Sequence, residues 1–120
     1  MATILCVGTA GPGDPARASL PFVTALTAIE AGHQPQIALM GDATSLMVDS
    51  VASQVLAADW PPLTELVRRV IGYNVPIYLC EHCSRRRGVS GDDLVTKNAR
   101  FASPKVLLEL KVAVDKVLAL

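Results

Sequence analysis

Aromatic residues are scarce in this chain: Phe, Tyr and Trp make up 4% of 120 residues. Its core must therefore rest on Ala, Val, Leu and Ile. An excess of charge is missing too. Lys plus Arg and Asp plus Glu both number 11, so the formal net charge is zero. Nucleic-acid binding is not expected from that balance, because it needs a basic excess or a long basic stripe. The one basic cluster, Arg85-Arg86-Arg87, is too short to supply it. No apolar run approaches the ~20 residues that span a bilayer, so no membrane association is expected. The opening residues lack the charged start and long apolar core of an export signal, and a cytoplasmic location is expected. Cysteine is sparse as well, with three residues, an odd number. That count argues against a disulfide framework and for thiols that are reduced, reactive or metal-bound.

What is present is apolar and patterned. Hydrophobic residues make up 51% and charged residues 18%, which argues against disorder. The length suits one domain, residues 1–120. "TILCVG" (3–8) reads as a buried parallel strand. The loop "TAGPGDP" (9–15) follows, with Asp14 placed to cap a helix and Pro15 at its first position. Residues 16–32 carry Leu20, Val23, Leu26 and Ile29 near helical spacing. Pro21 is expected to shorten or kink the first turn, and Gly32 to stop the helix. A second strand is expected over 34–41. One short helix near 43–48 should follow, then a loop or helical turn.

Residues 61–74 predict a helix with a Leu63/Leu66/Val67/Val70/Ile71 stripe, ended near Gly72. "VPIYL" (75–79) predicts a third strand. Residues 90–98 predict a short capped helix, and "ARFA" (99–102) a fourth strand. A Ser-Pro start opens a helix over 103–116, and "KVLAL" (116–120) is the closing strand. Strand and helix alternate throughout. The expected fold is α/β, with helices on both faces of a mainly parallel sheet.

In such sheets, sites gather beyond the carboxyl ends of the strands. Three strand ends carry distinctive residues: Gly8 to Asp14, Met40-Gly41-Asp42, and Cys80-Glu81-His82-Cys83. If the strands are parallel, all three loops leave the same edge, and strand order decides which of them touch. Cys80 directly follows its strand, and a turn or helix is expected to begin near Cys83. Backbone amides, His82 and the arginines all favour thiolate over thiol at Cys80. Read as a bland alternative, Cys80 is a small residue at a strand end.

Cys83 completes a Cys-x-x-Cys, which serves dithiol redox centres and half-sites for zinc alike. As a zinc site, Cys80 and Cys83 would need two more ligands. The spare candidates are His82, His33 and Cys6, and Cys6 reads as core. His33 is expected to serve at a helix end. The loop 8–13 has neither a P-loop ending nor a dinucleotide spacing, so it reads as a flexible turn beside a site. Asp42 is placed either to orient a ligand or to cap the next helix. No cofactor is expected.

Three stretches carry a resemblance: "ILCVGTAGPGDPARASLPFVTAL", "AGHQPQIALMGDATSLM" and "GYNVPIYLCEHCSRRRGV". The closing "VDKVLAL" adds to it. The chain resembles the DsrE/DsrF-like family of small sulfur-relay proteins over nearly its whole length. The resemblance implies a three-layer α/β/α fold with a parallel five-stranded sheet. It also implies homo-oligomers or hetero-oligomers of related subunits, commonly trimers or hexamers, with sulfur donor and acceptor proteins as partners. In sulfur-transferring members, one cysteine accepts sulfane sulfur as a persulfide and hands it to a partner's cysteine. By its spacing to Arg87-Gly88, Cys80 matches that position.

The expected function is a sulfur carrier with Cys80 as the catalytic thiol. Cys83, His82, Arg85, Arg87 and Gly88 would support it, and Thr9, Asp14, Gly41 and Asp42 would wall the pocket. The competing readings are a non-catalytic oligomer binding a ligand or zinc, and a Cys80/Cys83 dithiol redox sensor.

Overall fold

A computed structural model describes all 120 residues. Short apolar runs form five strands: β1 (Thr3–Gly8), β2 (Gln34–Leu39), β3 (Ile77–Cys80), β4 (Ala99–Ala102) and β5 (Lys116–Ala119). The helices are α1 (Pro15–Glu30), α2 (Asp49–Ala52), α3 (Leu63–Gly72), α4 (Glu81–Arg86) and α5 (Pro104–Ala113). Two 3-10 segments, Gly41–Met47 and Gly91–Leu94, fill the longer connections. No helix is long and apolar enough to cross a membrane.

All strand pairs are parallel, in the order β4-β3-β2-β1-β5. Chain direction explains the layers. The steps from β1 to β4 all move one way across the sheet, so right-handed crossovers stay on one face. The return from β4 to β5 runs the other way, which sends α5 to the opposite face. The register sorts the side chains accordingly. Cys6, Ile37, Leu39, Ile77 and Leu79 join Phe22, Leu26, Leu63, Leu66 and Val70 in the larger core. Leu5, Val7, Ala38, Cys80 and Ala102 turn the other way and meet Leu107 of α5. Each fully buried Leu, Ile or Phe contributes about 1.5–3 kcal/mol. The face with α1 and α3 therefore supplies most of the stability.

Several boundaries differ from the sequence expectation, each for a local reason. Helix α1 runs unbroken through Pro21, whose ring packs against Gly8, a residue without a side chain. A Cβ on Gly8 would lie 2.5 Å from the Pro21 Cγ. Gly32 ends α1 as expected, with φ +86° and the His33 N–H donating to the Ala28 carbonyl at 2.8 Å. Gly72 is the last residue of α3, near the helix end as expected. The left-handed residue that closes that helix is Asn74, φ 59°, and the Val75 N–H donates back to the Val70 carbonyl at 3.0 Å. Strand β3 begins at Ile77 rather than 75 and includes Cys80 as its last residue. The single helix foreseen near 43–48 is a 3-10 segment followed by the short α2.

Edge strand β5 is tied to β1 by Asp115. Its carboxylate accepts from the Thr3 N–H at 2.9 Å and the Thr3 hydroxyl at 3.2 Å. These bonds hold the Asp115 carboxyl below the ordinary range. A depressed carboxyl stabilises the fold above its unfolded pKa, and that contribution is lost as pH falls through the folded value. Acidification below about pH 4 should therefore loosen β5 before the rest of the sheet. Amide exchange should show it: β5 protection falls in acid in the natural chain, and is already reduced at neutral pH in Asp115→Ala.

Candidate functional site

The strand order seats β2 between β1 and β3, so the loops after these three strands lie side by side at one edge. They meet in a short chain of contacts. Gly11, after β1, lies against Asp42, after β2, where a Cβ would come within 2.8 Å of the Asp42 carbonyl oxygen. Asp42 then receives Arg87, after β3. The Arg87 Nε and Nη2 donate to Asp42 Oδ1 at 2.9 and 2.7 Å. Arg87 Nη1 donates to the Cys83 carbonyl at 3.1 Å. Asp42 is 70% exposed, and an exposed ion pair contributes about 0.2–1 kcal/mol. The pair positions the loops more than it stabilises the fold.

The cysteines occupy the turn that this strut braces. Helix α4 starts at Glu81, directly after the strand, so Cys83 stands in its first turn rather than beginning it. Cys80 is the N-cap, and its sulfur accepts from the Cys83 N–H at 3.3 Å. The Ser84 hydroxyl holds the Cys80 carbonyl at 2.7 Å. Gly88, φ 69°, closes α4, with the Val89 N–H reaching the Ser84 carbonyl at 3.0 Å. The Arg87-Gly88 pair thus has two separate jobs: the arginine reaches across to Asp42 and the glycine ends the helix.

The two thiols are not equivalent. Cys80 is 6% exposed, while Cys83 is half-buried. Burial, with the neighbouring Cys83 sulfur, pushes the Cys80 thiol up, against the amides of Cys83 and His82. Burial also opposes ionisation of Cys83, but four contacts outweigh it. A hydrogen bond from Cys80, the Gly41 amide, the Arg87 charge and its own amide bring the Cys83 thiol down. Of the two thiols it is Cys83 whose ionisation is favoured, the residue that the sequence reading placed only in support of Cys80. Its signal was the Arg87 four residues on, one helical turn away.

The other expected site residues fall in different places. Arg85 pairs with Glu81 along the exposed side of α4 and does not turn to the cysteines. His82 is exposed. Asp14 caps α1, accepting from the Arg17 N–H at 3.3 Å. The Thr9 carbonyl borders Gly41, which has φ +53°. None of the three surface cavities is lined by these residues or by Cys80 and Cys83. Cys6 is fully buried in β1, its thiol pushed up to about 11 by burial, as suits a core residue. His33 lies at the far end of the sheet, its Nδ1 accepting from the Ala2 N–H at 2.9 Å. No three His, Cys, Asp or Glu side chains gather where they could hold a metal. The zinc reading is thus left with two of its four ligands.

The DsrE/DsrF-like family model matches residues 2–119. The chain belongs to the DsrE/DsrF-like family. It is similar to the uncharacterized protein MJ0760 of Methanocaldococcus jannaschii, 31% identical over 91 residues, which are 76% of this chain. Those residues are 33% of that protein, so the chain spans about a third of the curated relative. Among solved structures, the YchN protein from E. coli superposes with a TM-score of 0.74 at 23% identity, covering 100% of both chains. BT1422 from Bacteroides thetaiotaomicron, described as a conserved protein of unknown function, gives 0.70 at 16% identity. It covers 99% of this chain and 95% of that one. Both share the three-layer α/β fold.

The Arg87 contact makes a direct prediction. Arg87→Gln removes the charge that favours the Cys83 thiolate, so ionisation moves to higher pH. Alkylation of Cys83 at neutral pH should slow by about threefold, with stability changed by less than ~1 kcal/mol. Mass-resolved iodoacetamide kinetics and a thermal melt measure the two effects.

Proposed function

We propose that this chain is a sulfur-relay protein, taking up sulfane sulfur as a cysteine persulfide at the Cys80–Cys83 pair and passing it to a partner thiol. The observation that carries this reading is the thiol pair itself. It stands at the carboxyl edge of a parallel sheet in a DsrE/DsrF-like chain, with Arg87 bonded to the Cys83 carbonyl and to Asp42 beside it. Sulfur transfer needs a thiolate to attack the donor, and the persulfide that forms is anionic near neutral pH. The Gly41 amide and Arg87 serve both needs at Cys83. The accepting role is assigned to Cys83 rather than to Cys80, the position that family spacing picks out.

The test is intact mass after anaerobic incubation with glutathione persulfide. A sulfur adduct or its thiol-reactive products should form in the natural chain and vanish in the Cys80→Ser/Cys83→Ser double variant. Equal adduct in both would refute a role for the pair.

We further propose that copies of the chain associate through the α5 face. One helix covers this side of the sheet and leaves Leu108 61%, Val112 77% and Val117 43% exposed. The surrounding charges alternate in sign, with Lys105, Lys111 and Lys116 beside Glu109 and Asp115, which suits a self-complementary contact. Leu108→Asp with Val112→Asp should reduce the oligomer to a monomer by light scattering, with the melt little changed. An unaltered mass would exclude this face.

A further inference from the structure

We infer that the Cys80–Cys83 pair discharges its own persulfide, so that the chain reduces the sulfane sulfur of small persulfides to hydrogen sulfide and is left with an intramolecular disulfide. The inference rests on the sulfur-relay reading and adds an activity to it.

The geometry decides which sulfur is attacked. Cys80 and Cys83 are three residues apart in one turn, and the Cys83 N–H already donates to the Cys80 sulfur. A persulfide on Cys83 keeps its inner sulfur at the present Sγ position, facing Cys80. The outer sulfur is the added atom. It lies on the more open side, because Cys80 is nearly buried and Cys83 is not. Cys80 therefore reaches the inner sulfur first. Attack at the outer sulfur would merely move the persulfide from one cysteine to the other. Attack at the inner sulfur expels it.

The steps balance. The Cys83 thiolate attacks the terminal sulfur of a donor RSSH, forming Cys83–S–SH and releasing RSH after proton uptake. Cys80 then loses its proton and attacks the Cys83 Sγ. The new Cys80–Cys83 bond forms as the bond to the outer sulfur breaks, and that sulfur leaves as HS⁻, taking up a proton as hydrogen sulfide. One sulfane sulfur is reduced by two electrons and two thiols are oxidised to a disulfide. No external oxidant enters. A dithiol reductant resets the pair by thiol–disulfide exchange.

Two physical arguments favour this route over waiting for a partner. A thiol held in contact acts at an effective concentration far above that of a free partner thiol. HS⁻ is also the conjugate base of hydrogen sulfide, which is more acidic than an ordinary cysteine thiol, and low-pKa sulfur leaves readily. The disulfide requires the two Cβ atoms to close to about 3.5–4.5 Å, from the ~5–6 Å typical of this helical spacing. Cys80, with φ −53° and ψ 117°, is outside the helical conformation and can absorb that closure.

The experiment is a single turnover with glutathione persulfide, without added reductant, reading sulfide by monobromobimane trapping and the chain by intact mass. The double serine variant supplies the background. The natural chain should release about one sulfide per chain in a burst and lose the mass of two hydrogens, the stoichiometry of Cys-x-x-Cys closure. Cys80→Ser should keep one added sulfur on Cys83, with its sulfide burst reduced at least about tenfold, as expected when the intramolecular nucleophile is removed. Serine is a good N-cap, so α4 should persist in that variant. If the natural chain holds its sulfur as stably as Cys80→Ser, the discharge is wrong while the relay stands. If no variant takes up sulfur and no sulfide appears above background, both are wrong.

Discussion

Iodoacetamide at neutral pH should modify Cys83 at least about tenfold faster than Cys80 in the natural chain, as the balance of thiolate fraction and access requires. Below both pKa values, each unit of separation gives the lower thiol about ten times more thiolate and reduces its intrinsic nucleophilicity by about threefold, a net gain of about three. Burial supplies the remainder, since Cys80 is 6% exposed and Cys83 lies in the first turn of α4 with its side chain half-open. The pH profile has a definite sign. The Cys83 rate should level off at lower pH than that of an ordinary thiol, because its pKa is lowered, and the Cys80 rate at higher pH, because its pKa is raised. Cys80→Ser removes the hydrogen bond that Cys80 gives to Cys83, so the Cys83 plateau should move to higher pH. Cys83→Ser should leave Cys80 slow, because burial, the largest cause of its raised pKa, remains. Faster labelling of Cys80 would return the accepting role to the position picked out by the Arg87-Gly88 spacing.

That contrast marks where sequence reasoning stopped. The strands were legible because their apolar runs are short and bounded by turn residues, and β1 and β4 fall where the pattern puts them. The candidate edge was legible too, since parallel strands must send their loops to one side. Three chemical details were not. The Arg87–Asp42 pair spans 45 positions and depends on β2 lying beside β3, which local pattern does not encode. Arg85 and Arg87 look alike in sequence. One turn of α4 and its Gly88 ending decide that Arg85 meets Glu81 while Arg87 reaches Asp42 and the Cys83 carbonyl. That Cys80 ends a buried strand was legible, but the lowering of the Cys83 thiol by the Gly41 amide and Arg87 was not, because it depends on which loops the fold brings together.

Gly11→Ala should lower stability by about 1–3 kcal/mol and raise the ionisation pH of Cys83, although residue 11 does not touch either cysteine. The new Cβ would stand 2.8 Å from the Asp42 Cβ and the same distance from its carbonyl oxygen. A flexible side-chain tip could swing aside from such a clash, but backbone cannot. The segment Gly41-Asp42 must therefore shift. It carries both groups that act on Cys83: the Gly41 amide directly, and Asp42 as the partner that orients Arg87. Displacing it weakens both effects and lets burial pull the thiol back up. Gly13→Ala is the matched control, because nothing lies within 4 Å of its added Cβ. That variant should stay within about 0.5 kcal/mol of the natural chain and keep its alkylation profile. A thermal melt and the pH dependence of Cys83 alkylation, read on both variants, separate the loop's packing from its electrostatic reach. If Gly11→Ala melts early but titrates normally, the first loop is a structural brace and nothing more. If both change together, the contacts from Gly11 through Asp42 and Arg87 to Cys83 act as one unit, and the loop after β1 belongs to the site.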